Sequence, residues 1–151
     1  MSLREQGTVN IRRMLRRDID AVLALGKKIS GGRDLLSYRD MASSDVGGPF
    51  DLSFVYEVDD KMVGFVLARL AYLMIPFTEV CIIHGMVVDP DYQRRGIGNK
   101  LLNVVLDYCH AEGINTIRTL VEEGNNELRR FVERLGFRRS HITNYDKTFE
   151  S

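Results

Sequence analysis

The stretch "EVCIIHGMVVD" at 79–89 constrains this chain more than any other. It is apolar on both faces, so a strand there needs cover above and below and is expected to be the central one. A turn follows, and then Leu101, Leu102, Val104, Val105, Tyr108 and Cys109 recur at helical spacing, with Gly113 placed as the stop. "INTIRTLV" at 114–121 reads as the next strand. A helix between two strands returns the chain to a parallel neighbour, so one parallel pair is expected.

Upstream, the pattern is antiparallel. "LSFVYEVDD" at 52–60 alternates, Asp59-Asp60-Lys61 turns the chain, "MVGFVLARLAYLMI" at 62–75 returns, and Pro76 breaks it before Glu79. "TVNIRRM" at 8–14 reads as a first strand and 16–29 as a helix with Ile19, Val22, Leu23 and Gly26 on one face. Residues 30–51 hold glycine pairs around a short helical stretch, the kind of long connection that often carries function. After 121, Leu128, Phe131, Val132 and Leu135 mark a helix capped by Asn125 and stopped by Gly136, and "FRRSHITNYDKTF" at 137–149 is expected to close as a strand. The order β-α-α-β-β-β-α-β-α-β implies an α/β (α+β) mixed sheet, and 151 residues suit one domain over 1–151.

Lys plus Arg and Asp plus Glu number 21 each, so the broad positive field that accompanies nucleic-acid binding is missing. Any anion site must be local. The arginines at 12, 13, 16 and 17 read as a solvated strand-to-helix junction, with an anion patch as the alternative. No apolar run reaches about 18 residues and no signal core follows Met1, so a cytoplasmic protein without a membrane partner is expected. Cys81 and Cys109 lie in apolar patterns without CxxC spacing and read as free core thiols; the histidines at 84, 110 and 141 are too scattered for a metal site.

The local anion site is suggested by "DPDYQRRGIGNKLL" at 89–102. A strand ending at Val88-Asp89 and a helix opening at Gly96–Gly98 gather unpaired backbone N–H groups, glycines let a ligand approach them, and Gln93, Arg94 and Arg95 add donors. A phosphate or pyrophosphate fits. The P-loop is excluded, because Gly96-Ile97-Gly98-Asn99-Lys100 lacks its spacing and its hydroxyl residue; a dinucleotide fingerprint would need glycine where Leu101 stands, although Glu122 lies at that motif's acidic spacing.

"VVDPDYQRRGIGNKLL" resembles the acetyl-CoA signature of the GNAT superfamily of N-acetyltransferases, [QR]-x-x-G-x-[GA], here Gln93-Arg94-Arg95-Gly96-Ile97-Gly98. "EGNNELRRFVERLGF" at 123–137 is similar to that family's second motif, and the order of elements agrees from "VNIRR" onward. The resemblance implies a GNAT-like fold with acetyl-CoA as cosubstrate. It implies pantetheine pairing with the main chain at Met86 and Val88, phosphates cradled by Gln93, Arg94, Arg95, Gly96, Ile97, Gly98 and Asn99, and a cofactor contact from Asn125 alongside its capping role.

Acetyl transfer needs a neutral amine, whereas an alkylammonium has a pKa near ~10.4, so a base is required. On strict alternation Val80, Ile82, His84, Met86 and Val88 share a face, which sets His84 beside the pantetheine slot; the bulge usual in the family's strand would turn that direction. His84 is the candidate base, matching half of a two-histidine relay in serotonin N-acetyltransferase whose other position is Ile82, and Glu79 is the alternative. The N–H of Val87 is placed to stabilise the oxyanion. Val132 stands where many members carry an acid tyrosine, leaving Tyr145 or Tyr72 as substitutes. The chain reads as an enzyme moving acetyl from acetyl-CoA to a primary amine, on a small molecule or a peptide, by direct attack in a ternary complex. An acyl-CoA-binding module without turnover is the alternative, and a nucleotide-dependent oxidoreductase stands third. Monomer and homodimer both remain open.

Overall fold

The computed structural model describes residues 7–32, 36–72 and 79–149, except for the side chain of Tyr72. The expectations for the first residues, for part of the glycine-flanked segment and for the break at Pro76 lie outside the described residues. The chain divides into two compact units, Met1–Leu120 and Val121–Ser151.

In the first unit, β1 (Val9–Arg13) leads through a 3-10 turn at Arg16–Asp18 into α1 (Ile19–Ile29) and α2 (Tyr38–Ser43). Then follow β2 (Phe54–Val58), β3 (Lys61–Tyr72), β4 (Glu79–Val88), α3 (Ile97–Ala111) and β5 (Ile117–Thr119). The strands form one sheet in the order β1-β2-β3-β4-β5, antiparallel except for the parallel pair β4–β5. β4 is therefore interior, as its two apolar faces require, while β3 takes the middle place.

Local chemistry explains the breaks. Asp59 and Asp60 adopt φ values of 50° and 65°, the left-handed pair that a tight two-residue hairpin demands and that aspartate tolerates. Ser37 Oγ accepts the Asp40 N–H at 3.0 Å while Asp40 accepts the Ser37 N–H at 3.3 Å, a reciprocal cap that starts the short α2.

One face of the sheet packs against α1 and α2 through Met14, Ile19, Val22, Leu25, Met41, Val46, Val55 and Phe65. Leu25 joins Ile19, Val22 and Gly26 in the buried stripe of α1, while Leu23 is only partly covered. The other face packs α3 through Ile97, Leu101, Leu102, Val105 and Cys109. Burying each of the larger aliphatic side chains contributes about 1.5–3 kcal/mol. Gly64 lets α3 come close, since a Cβ there would stand 3.2 Å from Ile97 Cγ2. This close seating fixes the start of α3 against the sheet.

Two of the four arginines at the first junction are engaged rather than solvated. Arg12 pairs with Asp18 at 2.8 Å and Glu57 at 3.2 Å, and Arg13 lies over the Phe54 and Tyr108 rings while donating to the Asp51 carbonyl. A strand register brings Glu57 beside Arg12, which charge counting along the sequence does not reveal.

The second unit holds α4 (Asn126–Arg134), capped by Asn125 Oδ1 accepting the Leu128 N–H at 3.1 Å. Gly136, at φ 97°, ends it, with the Phe137 N–H returning to the Val132 carbonyl at 3.1 Å. The closing strand expected over 137–149 does not form in the described residues. Their hydrogen bonds are local, Ile142 N–H to Ser140 Oγ at 3.1 Å and Asn144 Nδ2 to Asp146 Oδ1 at 2.8 Å, and such side-chain bonds compete with a ladder.

Candidate active site

The end of β4 and the start of α3 are held by a short polar lattice. Asp89 is 1% exposed, and its carboxylate accepts the Asp91 N–H at 3.0 Å and the Lys28 ammonium at 3.0 Å. Burial alone would push this carboxyl up. The Asp91 N–H, Lys28 and the charge of Lys61 outweigh it and hold Asp89 below the usual carboxylate value. The 3-10 turn Pro90–Tyr92 then carries the chain outward, and Gln93 Nε2 donates back to the Val88 carbonyl at 3.3 Å. Arg95 lies over the Tyr92 ring at 5.0 Å.

At Arg94 and Gly96 the backbone turns left-handed, with φ 67° and 75°. Gly96 caps α3 without any side chain accepting from the first turn. The opening N–H groups of the helix therefore point outward with no capping acceptor. At Gly98 a Cβ would stand 3.3 Å from Met86 Sδ, so the helix start lies tightly on β4. Ile97 is buried and offers the site its main chain only. Arg94, Arg95 and Asn99 are exposed around this turn.

β4 changes character halfway along. Cys81, Ile82 and Ile83 pair with Ile117, Arg118 and Thr119 of β5, and Thr119 Oγ1 donates to the Ile83 carbonyl at 3.1 Å. Past Ile83 the two strands part, so in the first unit Gly85–Val88 is strand-paired only on its β3 side. The same point carries a bulge. Leu67 pairs with Gly85 and Ala68 with Ile83, which leaves His84 as the extra residue.

That bulge overturns the strict alternation. Cys81 faces α3, where its thiol lies beside that of Cys109, and His84 lies on the opposite face with Leu67 and Val87, which pack toward the α1 core. Met86 has turned onto the α3 face against Gly98. Val88 pairs with Gly64, which also faces α3, so neither Met86 nor Val88 shares a face with His84. Glu79, exposed at the strand's start, falls on the Cys81 face and roughly 16 Å along the strand from His84 at ~3.3 Å per residue. The two candidate bases are not brought together. Tyr145 stands exposed in the second unit, and the side chain of Tyr72 lies outside the described residues.

His84 is half-exposed, and its side chain makes no hydrogen bond to the described residues. Partial burial first, and then the positive charge of Arg69, hold its imidazole below the ordinary histidine value of 6.5. It is therefore neutral at pH 7 and able to accept a proton. An NMR titration is expected to find its midpoint below 6.5, and Arg69→Ala to raise it only part of the way, because burial is the larger cause. A midpoint at or above 6.5 in the parent would contradict this.

Sequence reasoning did not single out Arg69 or Arg118. Arg69 pairs with Ile82 on one side and Arg118 pairs with Ile82 on the other, so both flank the face that bears His84. Only register brings these residues together.

Cys81 and Cys109 are free and buried. The hydrogen bond to Cys109 and burial push the Cys81 thiol up, so it stays protonated. An open groove of about 360 Å³ between α1 and α2 is lined by Leu23, Ala24, Lys27, Leu36, Ser37 and Tyr38. Among the described residues no group of three His, Cys, Asp or Glu side chains could hold a metal, and no helix is long and apolar enough to cross a membrane.

Residues 27–137 match the acetyltransferase (GNAT) family. An uncharacterized N-acetyltransferase of Methanocaldococcus jannaschii is 32% identical over 146 residues, covering 89% of this chain and 63% of that protein. The [ribosomal protein bS18]-alanine N-acetyltransferase of Salmonella typhimurium is 30% identical over 91 residues, covering 60% of this chain and 57% of its own. The chain thus spans less than two thirds of the length of these curated relatives. Among solved structures, an aminoglycoside N-acetyltransferase in complex with CoA has the same fold, with a TM-score of 0.76 at 17% identity over 93% of this chain and 95% of the other.

Proposed function

The chain belongs to the acetyltransferase (GNAT) family, and from that membership we propose that it moves acetyl from acetyl-CoA to a primary amine by direct attack in a ternary complex. The observation that carries this reading is the uncapped N-terminus of α3 beside the half-open edge of β4. The residues fit a diphosphate: outward N–H groups, a left-handed Gly96, and a Gly98 with no room to spare against Met86. In this reading the backbone from Arg94 to Asn99 holds the pyrophosphate, Arg94 and Arg95 add charge, and the main chain of Met86 to Val88 takes pantetheine on its unpaired edge. Gln93 acts chiefly by closing the turn onto Val88, and Asn125 caps α4.

Acetyl-CoA supplies an acyl carbon on a good leaving group, since a coenzyme thiol resembles cysteine with a pKa near ~8.5. The chain must supply orientation and a proton acceptor. His84 takes the amine proton and the Val87 N–H stabilises the oxyanion, with Glu79 as the alternative base. The family match runs across the boundary at 120 and supports reading both units as one domain. The free buried thiols support a cytoplasmic setting.

Direct attack requires that no acyl-enzyme form, in keeping with thiols that are both buried. Incubation with acetyl-CoA alone is expected to leave the intact mass of the chain unchanged, and initial rates to give intersecting double-reciprocal lines. A covalent acetyl adduct with parallel lines would overturn the ternary mechanism.

A further inference from the structure

The row Arg69–Ile82–Arg118 crosses three strands on the face that bears His84. Neighbouring strands lie ~4.8 Å apart, so the two arginine Cα atoms sit roughly 10 Å apart with one aliphatic residue between them. Two guanidinium groups at that spacing can close on a single small anion over Ile82.

Among the described residues neither arginine makes an ion pair; Asp51 lies opposite Arg69 across a β-bridge, but its carboxylate accepts the Gly47 and Ser53 N–H groups. The ion pairs among the described residues are those of Arg12 with Asp18 and Glu57, Lys28 with Asp89 and Asp91, and Arg139 with Glu123. Arg118 Nη1 is buried and has no hydrogen-bond partner among the described residues. A buried guanidinium N–H without an acceptor is costly, and such groups in native proteins usually await a ligand, an ion or a water. The sequence between β3 and β4, 73–78, contains no carboxylate to serve the pair.

The neighbouring base completes the arrangement. His84 lies further along β4 on the same face, on the order of 6 Å from Ile82 at ~3.3 Å per residue. We propose that the acceptor is a small amine carrying a carboxylate within a few bonds of its nitrogen, with Arg69 and Arg118 holding the carboxylate and His84 facing the nitrogen. This rests on the acetyltransferase reading and names its substrate class. The N–C bond forms as the C–S bond breaks, the electron pair leaves on sulfur, and the amine proton passes to His84. The same two cations repel polyamines and lysine-rich peptides, which supplies selectivity by exclusion.

The test uses matched acceptors: β-alanine, its amide, propylamine and a diamine, each with acetyl-CoA and the full chain, read as kcat/KM from thiol release. β-Alanine is expected to exceed its amide by at least about tenfold. Arg69→Met and Arg118→Met should each bring that ratio toward one, while Arg69→Lys restores part of it. A second readout needs no turnover: propionate, but not propionamide, should raise the His84 NMR midpoint as it offsets the arginine charges. Equal or better rates with the amide, propylamine or diamine, with no effect of propionate, would overturn this proposal and leave the acetyltransferase reading intact. No thiol release from any amine would overturn both.

Discussion

His84→Ala is expected to lower kcat at pH 7 by a factor of roughly 10²–10⁴, the range that positioned general bases contribute, with acetyl-CoA affinity unchanged. The side chain is half-exposed and makes no hydrogen bond to the described residues, so its removal opens no cavity and strands no polar group. The defect should shrink as pH rises toward ~10, where the amine sheds its proton without help. In the parent the acid limb of kcat/KM should fall below pH 6.5, because burial and Arg69 hold the imidazole below that value. The sign follows from protonation: below its midpoint His84 is cationic and cannot accept a proton, and above it the base is free. A defect that is the same at every pH would assign His84 a structural role, and Glu79 would become the base to test.

Gly98→Asp is expected to act with opposite signs on binding and stability. A carboxylate in the first turn of α3 meets the outward N–H groups and the positive end of the helix, so thermal stability should hold or rise. The crowded thioether of Met86, 3.3 Å from the new Cβ, ends a flexible side chain and can shift. The same carboxylate occupies the place proposed for the pyrophosphate and repels it, so acetyl-CoA affinity should fall by at least about tenfold, near 1.4 kcal/mol or more. A variant that binds acetyl-CoA as the parent does would remove the phosphates from this turn. Calorimetric titration with CoA alongside a thermal melt reads both signs on one preparation.

The part of this site that was legible in the sequence is the part made by consecutive residues. The two-faced apolar run of β4, the glycines at 96 and 98 and the helical spacing after them specify a strand, an uncapped turn and a helix in direct succession. The hairpin at Asp59-Asp60 was legible for the same reason. The bulge in β4 was anticipated only through the family resemblance, and its place at His84 was not legible, because one extra residue changes no composition and is defined only by the partner strand. It reversed the face of Met86 and Val88 while leaving His84 on the side of Leu67. Arg69 and Arg118 are distant in sequence and meet across Ile82 through two separate registers. The stretch 137–149 carries Phe137, Ile142, Tyr145 and Phe149 among polar residues whose short side chains bond locally, so apolar spacing alone overstated its tendency to pair.

The most direct measurement of the central claim is thiol release from acetyl-CoA in the presence of a broad panel of primary amines, with the acetylated product identified by mass. Amine-dependent release with one acetyl group on the amine nitrogen is the expected result. Tight binding of CoA with no release from any amine would contradict it and leave the chain a binding module.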